Sequence, residues 1–309
     1  MGRTVAETIK EITRKHLTEG NGLLLGQAIT AVGWVNNTVP DCEGIIELPM
    51  ADVAGSGIAV GTAVVGRRPI FVIRFQDFLW LSSSPLVNYA AKTKDIFGVG
   101  TPIFVRALAQ EGHGTGPVHA GVLHAPFMHV PGFRVCSPMT PKEYEEVWDV
   151  FMKNDAPMIA SEHRISFSNE KEMPDKIVKD ANITLYGISA ARFNLEKASE
   201  ILENDEIKCN IVHIYWLKPF NLEERIINPL KKSKIGIVVD SGFEMAGASE
   251  AIAYKLMLKT GIPVRGLGLK DHSVCVYKEL ENSTPTPEQI AYVVKQMYKE
   301  KAGGKIDAI

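Results

Sequence analysis

Apolar and polar positions along this chain are arranged in alternating blocks. Val5, Ile9 and Ile12 recur at helical spacing between charged residues, so residues 5–17 predict an amphipathic helix ended by Gly20. Leu23-Leu24-Leu25-Gly26 is a short apolar run closed by glycine, the pattern of a strand buried on both faces. The same pattern recurs at 70–73, 103–105, 133–136 and 158–160. Helical stretches lie between these runs, notably 52–66, 85–93 and 141–153. Strand alternating with helix implies a parallel sheet covered on both faces.

Residues 165–181 (ISFSNEKEMPDKIVKDA) are polar and lack a core pattern, so they read as a linker. The alternation then restarts, with strands at 183–186, 210–215, 235–239 and 263–267 and helices at 195–202, 249–258 and 287–298. The fold class is therefore α/β with two domains, each a mainly parallel sheet covered by helices. The first spans residues 1–165, the linker 166–181 and a smaller second domain 182–309. The Gly- and Lys-containing tail from Lys301 is expected to fray.

Composition narrows the function class without naming one. A length of 309 residues suits two domains. Lys plus Arg is 34 against 36 for Asp plus Glu, a net charge of −2, which argues against a general nucleic-acid binder. No apolar run reaches the roughly 18 residues of a membrane span, and the N-terminal stretch lacks the apolar core of a secretory signal. Cys42, Cys136, Cys209 and Cys275 stand singly with no C-x-x-C pair, which suits thiols in a reducing compartment, so a cytoplasmic protein is expected.

The stretch Leu48-Pro49-Met50-Ala51-Asp52-Val53-Ala54-Gly55-Ser56-Gly57-Ile58-Ala59-Val60-Gly61 is the most informative. Glycine costs about 1 kcal/mol relative to Ala inside a helix, so a ladder at 57, 61 and 66 needs a reason. Close approach of another backbone or a ligand is that reason. Tight packing within the chain and a phosphate loop both compete. The second is weak, because no Lys-Ser/Thr follows and no G-x-G-x-x-G opens a helix. An ordinary helix N-cap is the competing reading of Asp52.

Six segments in order carry a resemblance: Asp52 and its glycine ladder, Arg68-Pro69, Phe75-Gln76-Asp77-Phe78, Val87-Asn88-Tyr89-Ala90-Ala91-Lys92, His129-Val130-Pro131-Gly132-Phe133, and Leu217-Lys218-Pro219-Phe220. Together they resemble the β subunit of the thiamine-diphosphate-dependent first component of 2-oxo-acid dehydrogenase complexes, within the transketolase superfamily. The resemblance covers essentially the whole chain. It implies a thiamine-diphosphate pyrimidine-binding domain followed by a transketolase C-terminal-like domain. It also implies an enzyme that forms a carbanion or enamine intermediate from a 2-oxo acid, with decarboxylation and acyl or aldehyde transfer. The C-terminal half of a split transketolase and a non-catalytic structural β chain are the alternatives.

The resemblance also implies site residues. Asp52 stands where the family has a glutamate that hydrogen-bonds the cofactor's aminopyrimidine, and it is shorter by one methylene, roughly 1.5 Å. Met50 is carried over as a further cofactor contact, and Phe78 as the aromatic that stacks on the pyrimidine. His119 matches the family's active-site histidine, a residue type suited to proton transfer near neutral pH. Ala120-Gly121 replace the usual polar pair after it, which reads as an opened pocket. His113 and His124 are additional candidates for substrate contact. No spacing supports metal ligation by this chain. The family's Gly-Asp-Gly segment for Mg²⁺ and diphosphate is missing, so an α subunit is expected to supply that half of the site. Ala54, Gly57 and Gly61 are then expected to serve β–β packing in an α₂β₂ assembly, with a lipoyl acyltransferase as a further partner.

Overall fold

The computed structural model of the chain describes residues 2–112, 116, 118–274 and 276–302. The first six strands are β1 (Leu23–Gln27), β2 (Ile45–Leu48), β3 (Pro69–Ile73), β4 (Phe104–Ala109), β5 (Arg134–Cys136) and β6 (Met158–His163). The rest are β7 (Ile183–Ile188), β8 (Cys209–Ile214), β9 (Trp216–Lys218), β10 (Gly236–Phe243) and β11 (Val264–Leu269).

Two compact units result. The first holds Met1–Glu172 together with Tyr215–Pro219 and Val274–Glu281. Its sheet runs β2-β1-β3-β4-β6-β5-β9, parallel except for β9, which pairs antiparallel with β5. Every residue of β3, β4 and β6 is buried, as expected of strands covered on both faces. The helix Val5–Thr18 starts at a capping box, in which Glu7 N–H donates to Thr4 Oγ1 at 3.1 Å and Thr4 N–H to Glu7 Oε2 at 2.8 Å.

The second unit holds Met173–Ile214, Phe220–Ser273 and Asn282–Ile309. Its sheet runs β11-β10-β7-β8, all parallel, over a core that includes Leu185, Leu195, Ile211 and Val239. Among the described residues, no helix is long and apolar enough to cross a membrane.

The linear division at 166–181 misses two features. Lys176 forms a two-way antiparallel bridge with Ile211, at 2.8 Å in each direction, so part of the expected linker is tied to β8. The expected strand 210–215 ends at Ile214, and the next residues return to the first unit as β9. The helix expected at 85–93 instead begins at Leu79 and ends at Pro85, with a wide turn at Leu86–Ala90. Proline cannot donate to the preceding turn, so the α-helical ladder breaks there.

A five-residue left-handed turn, Gly33 to Asn37, has φ between +50° and +67°. Each non-glycine residue there costs roughly 1–2 kcal/mol. The turn inserts Val35 into the core, where it is fully buried, and Thr38 Oγ1 donates to the Val35 carbonyl at 2.7 Å. The same Thr38 hydroxyl accepts from Arg106 Nη2 at 2.9 Å. Arg106 on β4 pairs bidentately with Glu162 on β6, at 2.7 and 2.8 Å, and the Tyr144 hydroxyl donates to Glu162 at 2.7 Å. Burial and then the Glu162 charge push the Tyr144 phenol well above its ordinary value.

Candidate functional site

The order β2-β1-β3 places consecutive strands on opposite sides of β1, so the strand order reverses between β1 and β3. In open α/β sheets a crevice forms outside the carboxyl ends at such a point. Here a cavity of about 190 Å³ lies there. That is smaller than the roughly 300–1,000 Å³ of a site for a whole drug-sized ligand and fits one heterocycle better. The carboxyl end of β1 contributes Gln27 and Ala28, the segment after β2 contributes Met50 and Asp52, and β3 with its extension contributes Arg74, Phe75 and Phe78. His119 completes the wall.

Asp52 opens the helix Asp52–Val64 but does not cap it. The N-cap residue is Ala51, and no side chain of the segment itself closes that end. With its amide turned so that the oxygen faces the helix, Gln27 can take this role, its oxygen then standing 3.2 Å from Ala51 N and 3.3 Å from Asp52 N. The Asp52 carboxylate has no hydrogen-bond or ion-pair partner among the described residues and lines the cavity. Glu47 is engaged differently. It accepts from Ile29 N–H at 3.0 Å, Thr30 N–H at 2.9 Å and Thr30 Oγ1 at 2.8 Å. Burial raises its pKa, but the bonds from Thr30 and the neighbouring backbone outweigh that and hold it below the usual value.

His119 stands edge-on to Phe75 and Phe78, with ring centroids 4.4 and 5.5 Å away. Its Nδ1 is buried with no hydrogen-bond partner among the described residues. The segment behind it is pinned from below. Asp77 Oδ2 accepts from Gly121 N–H at 2.9 Å, and Gln76 Oε1 accepts from Leu123 N–H at 2.7 Å. A Cβ on Gly121 would stand 2.7 Å from Asp77 Oδ1, so a side chain here would have to displace the carboxylate that holds the segment. Ala120 is buried. The pair Ala120-Gly121 therefore packs beneath the wall rather than opening the pocket.

His124 lies elsewhere. It is fully buried, with Nδ1 3.1 Å from Ser161 Oγ, and it does not line the cavity. His113 lies outside the described residues. Asp52, Met50, Phe78 and His119 thus share one cavity. Sequence reasoning missed Gln27, Arg74 and Phe75. Only Phe75 carried a signal, as the first aromatic of Phe-x-x-Phe.

Residues 7–168 match the family described as transketolase, pyrimidine binding domain, and residues 175–290 match transketolase, C-terminal domain. The chain belongs to the transketolase family. Within it, the chain is 28% identical over 213 residues to the acetoin:2,6-dichlorophenolindophenol oxidoreductase subunit beta of Cupriavidus necator, a match spanning 64% of this chain and 62% of that one. It is 26% identical over 226 residues to the pyruvate dehydrogenase E1 component subunit beta of Rickettsia felis, spanning 69% of each. Two solved transketolase-family structures share the fold. A split-gene transketolase, an inactive beta4 tetramer, superposes with a TM-score of 0.75 at 15% identity, covering 97% of this chain and 99% of that one. Transketolase from Campylobacter jejuni gives 0.72 at 17%, covering 96% of this chain and 47% of that one. The cavity lies inside the part matched to the transketolase pyrimidine-binding domain.

Proposed function

We propose that the chain is the β subunit of a two-chain thiamine-diphosphate-dependent enzyme acting on a 2-oxo acid. The observation that carries this reading is the unpartnered Asp52 carboxylate in an aromatic-walled cavity sized for one ring. The residues suit an aminopyrimidine. Phe78 offers a flat apolar face, Met50 an adaptable contact, and Asp52 an acceptor for a protonated ring nitrogen. Thiamine diphosphate, when bound, supplies the electron sink for decarboxylation and acyl or aldehyde transfer. This chain's residues orient it and handle protons. Asp52 holds a proton at the ring nitrogen, and His119, with a free Nδ1, accepts or donates one towards the substrate. Asp77 and Gln76 fix the segment that carries His119.

Diphosphate and Mg²⁺ are assigned to an α subunit. A partner surface fits this assignment. A Cβ added at Gly57 or Gly61 would meet nothing within 4 Å, so the glycine ladder is not explained by packing within the chain. Met50, Val53 and Ile58 are exposed on and beside the same helix, at 90, 57 and 49%. An α₂β₂ assembly with Gly57 and Gly61 at the β–β contact follows, and a lipoyl acyltransferase is the proposed acyl acceptor. Cys42, Cys136 and Cys209 are free thiols, in keeping with a cytoplasmic setting.

The test is titration of thiamine diphosphate into the chain co-purified with its α partner, in wild type, Asp52→Ala and Asp52→Glu. Asp52→Ala is expected to lose at least about tenfold in affinity, roughly 1.4 kcal/mol, together with turnover. Equal affinity and turnover would overturn the role of Asp52 and favour a structural β chain. Supplying a 2-oxo acid with a lipoyl acceptor, or a ketose phosphate donor, separates dehydrogenase from transketolase chemistry.

A further inference from the structure

Two guanidinium groups flank Phe75, and among the described residues no carboxylate forms an ion pair with either. Arg74 follows β3 and lines the cavity, and its Nη1 donates to the Ala28 carbonyl at 3.2 Å. Its Cζ lies 5.8 Å from the Phe75 ring centroid. Arg164 stands over the same ring at 4.7 Å, donates to the Gln110 amide oxygen and reaches the Arg74 carbonyl at 3.3 Å. Among the described residues, every partner of both guanidiniums is thus a carbonyl, an amide or a ring. The Nε of each is buried without any partner. Burial and then the Arg74 charge pull the Arg164 pKa down to about 10, against an opposing effect of Glu162.

Arg106 supplies the contrast within the same sheet. Where that guanidinium is buried for structural reasons, the chain provides a bidentate carboxylate. Around Phe75 the described residues provide none, and adjacent like charges half-withdrawn from water are unfavourable until an anion joins them. A neutral heterocycle beside Phe78 does not satisfy that need. The charge also sits close to the reacting end of the cavity, because Phe75 touches His119 edge-on at 4.4 Å.

We propose that Arg74, supported by Arg164, is a specificity determinant that binds a second anionic group of the substrate, a carboxylate or phosphate remote from the reacting carbonyl. The inference rests on the function proposed above and names its substrate class. Arg74 forms a charge-assisted, two-pronged contact with the anion, and Arg164 adds field across the Phe75 ring.

The test uses the chain co-purified with its α partner and calorimetric titration with matched pairs. 2-Oxoglutarate against 2-oxopentanoate probes a carboxylate, and glyceraldehyde 3-phosphate against glyceraldehyde probes a phosphate. Wild type is expected to bind the charged member of one pair at least about tenfold tighter than its mate, and the responding pair names the anion. Arg74→Met is expected to bring that ratio close to one, while Arg74→Lys keeps part of it. Equal binding within both pairs by wild type, or an unchanged ratio in Arg74→Met, overturns the proposal. A loss confined to thiamine diphosphate affinity also overturns it, by placing the cation on the cofactor. Thermal midpoint and co-elution with the partner check that Arg74→Lys is folded. Thiamine diphosphate titrated into the same preparations keeps the two readings apart. Cofactor binding without anion discrimination sinks only the anion site, and discrimination without cofactor binding sinks only the assigned function.

Discussion

The Asp52 carboxylate has no partner among the described residues, while Gln27, from a different strand end, can cap the helix once its amide oxygen is turned to the backbone. Such a division of labour is invisible in sequence, where Asp at a helix start reads as its own cap. Arg106 and Glu162 form the opposite kind of site, an ion pair closed on itself. Arg106→Met is expected to cost about 3–5 kcal/mol by leaving Glu162 buried and unpaired, and the double variant Arg106→Met/Glu162→Leu to recover much of that, measured by urea denaturation. His213 sets an acid limit in the second unit. Burial, then the charges of Arg192 and Arg225, push its pKa down to about 3, and its Nδ1 accepts from Arg192 Nε at 3.3 Å. The unfolded chain takes up this proton below about 6.5 while the fold resists it down to about 3, so stability falls as pH drops through that window. His213→Gln is expected to flatten the fall between pH 7 and pH 4.5 by on the order of 2 kcal/mol, read from thermal unfolding at the two pH values. Of the cavity residues, Asp52, Met50, Phe78 and His119 were legible through ordered motifs. Arg74 and Gln27 were not, because each is one residue at a strand end with no periodicity to mark it.

The helix Asp52–Val64 is built for contact on a face the chain itself does not fill. Gly57→Ala removes backbone freedom without a clash and is expected to stabilise the isolated chain by about 0.5–1 kcal/mol. Gly57→Leu is expected to leave the isolated chain folded yet block assembly, seen as loss of the larger species in size-exclusion chromatography with light scattering. Assembly unaffected by Gly57→Leu would remove the glycines from the interface. The strands of the parallel sheets were legible because burial on both faces writes continuous apolar runs into the sequence. The strand Ile45–Leu48 was not, being four residues long with two of them exposed. Nor was the left-handed turn, whose only local sign is Gly33 and the pair Asn36-Asn37, residue types that tolerate positive φ. Its stability comes from Val35 in the core and from Thr38 on Arg106, both tertiary.

At the scale of the whole molecule, the α/β class and two sheets were legible from alternation, but the route of the chain between the units was not. The run 210–215 reads as one strand, yet Ile214 ends β8 in one unit and Trp216 begins β9 in the other. Hydrophobic pattern reports burial and is silent about which core a residue enters. A fragment of residues 1–172 therefore lacks β9 and leaves β5 as an open edge, and it is expected to aggregate, measured by light scattering against the full chain. The same route has a consequence in time. β9 is synthesised about 80 residues after β5, which at roughly 5–20 residues per second is about 4–16 s of translation. Throughout that interval the nascent chain carries a sheet edge on β5 that only later synthesis can cover, so the ribosome's pace sets how long a chaperone must guard it.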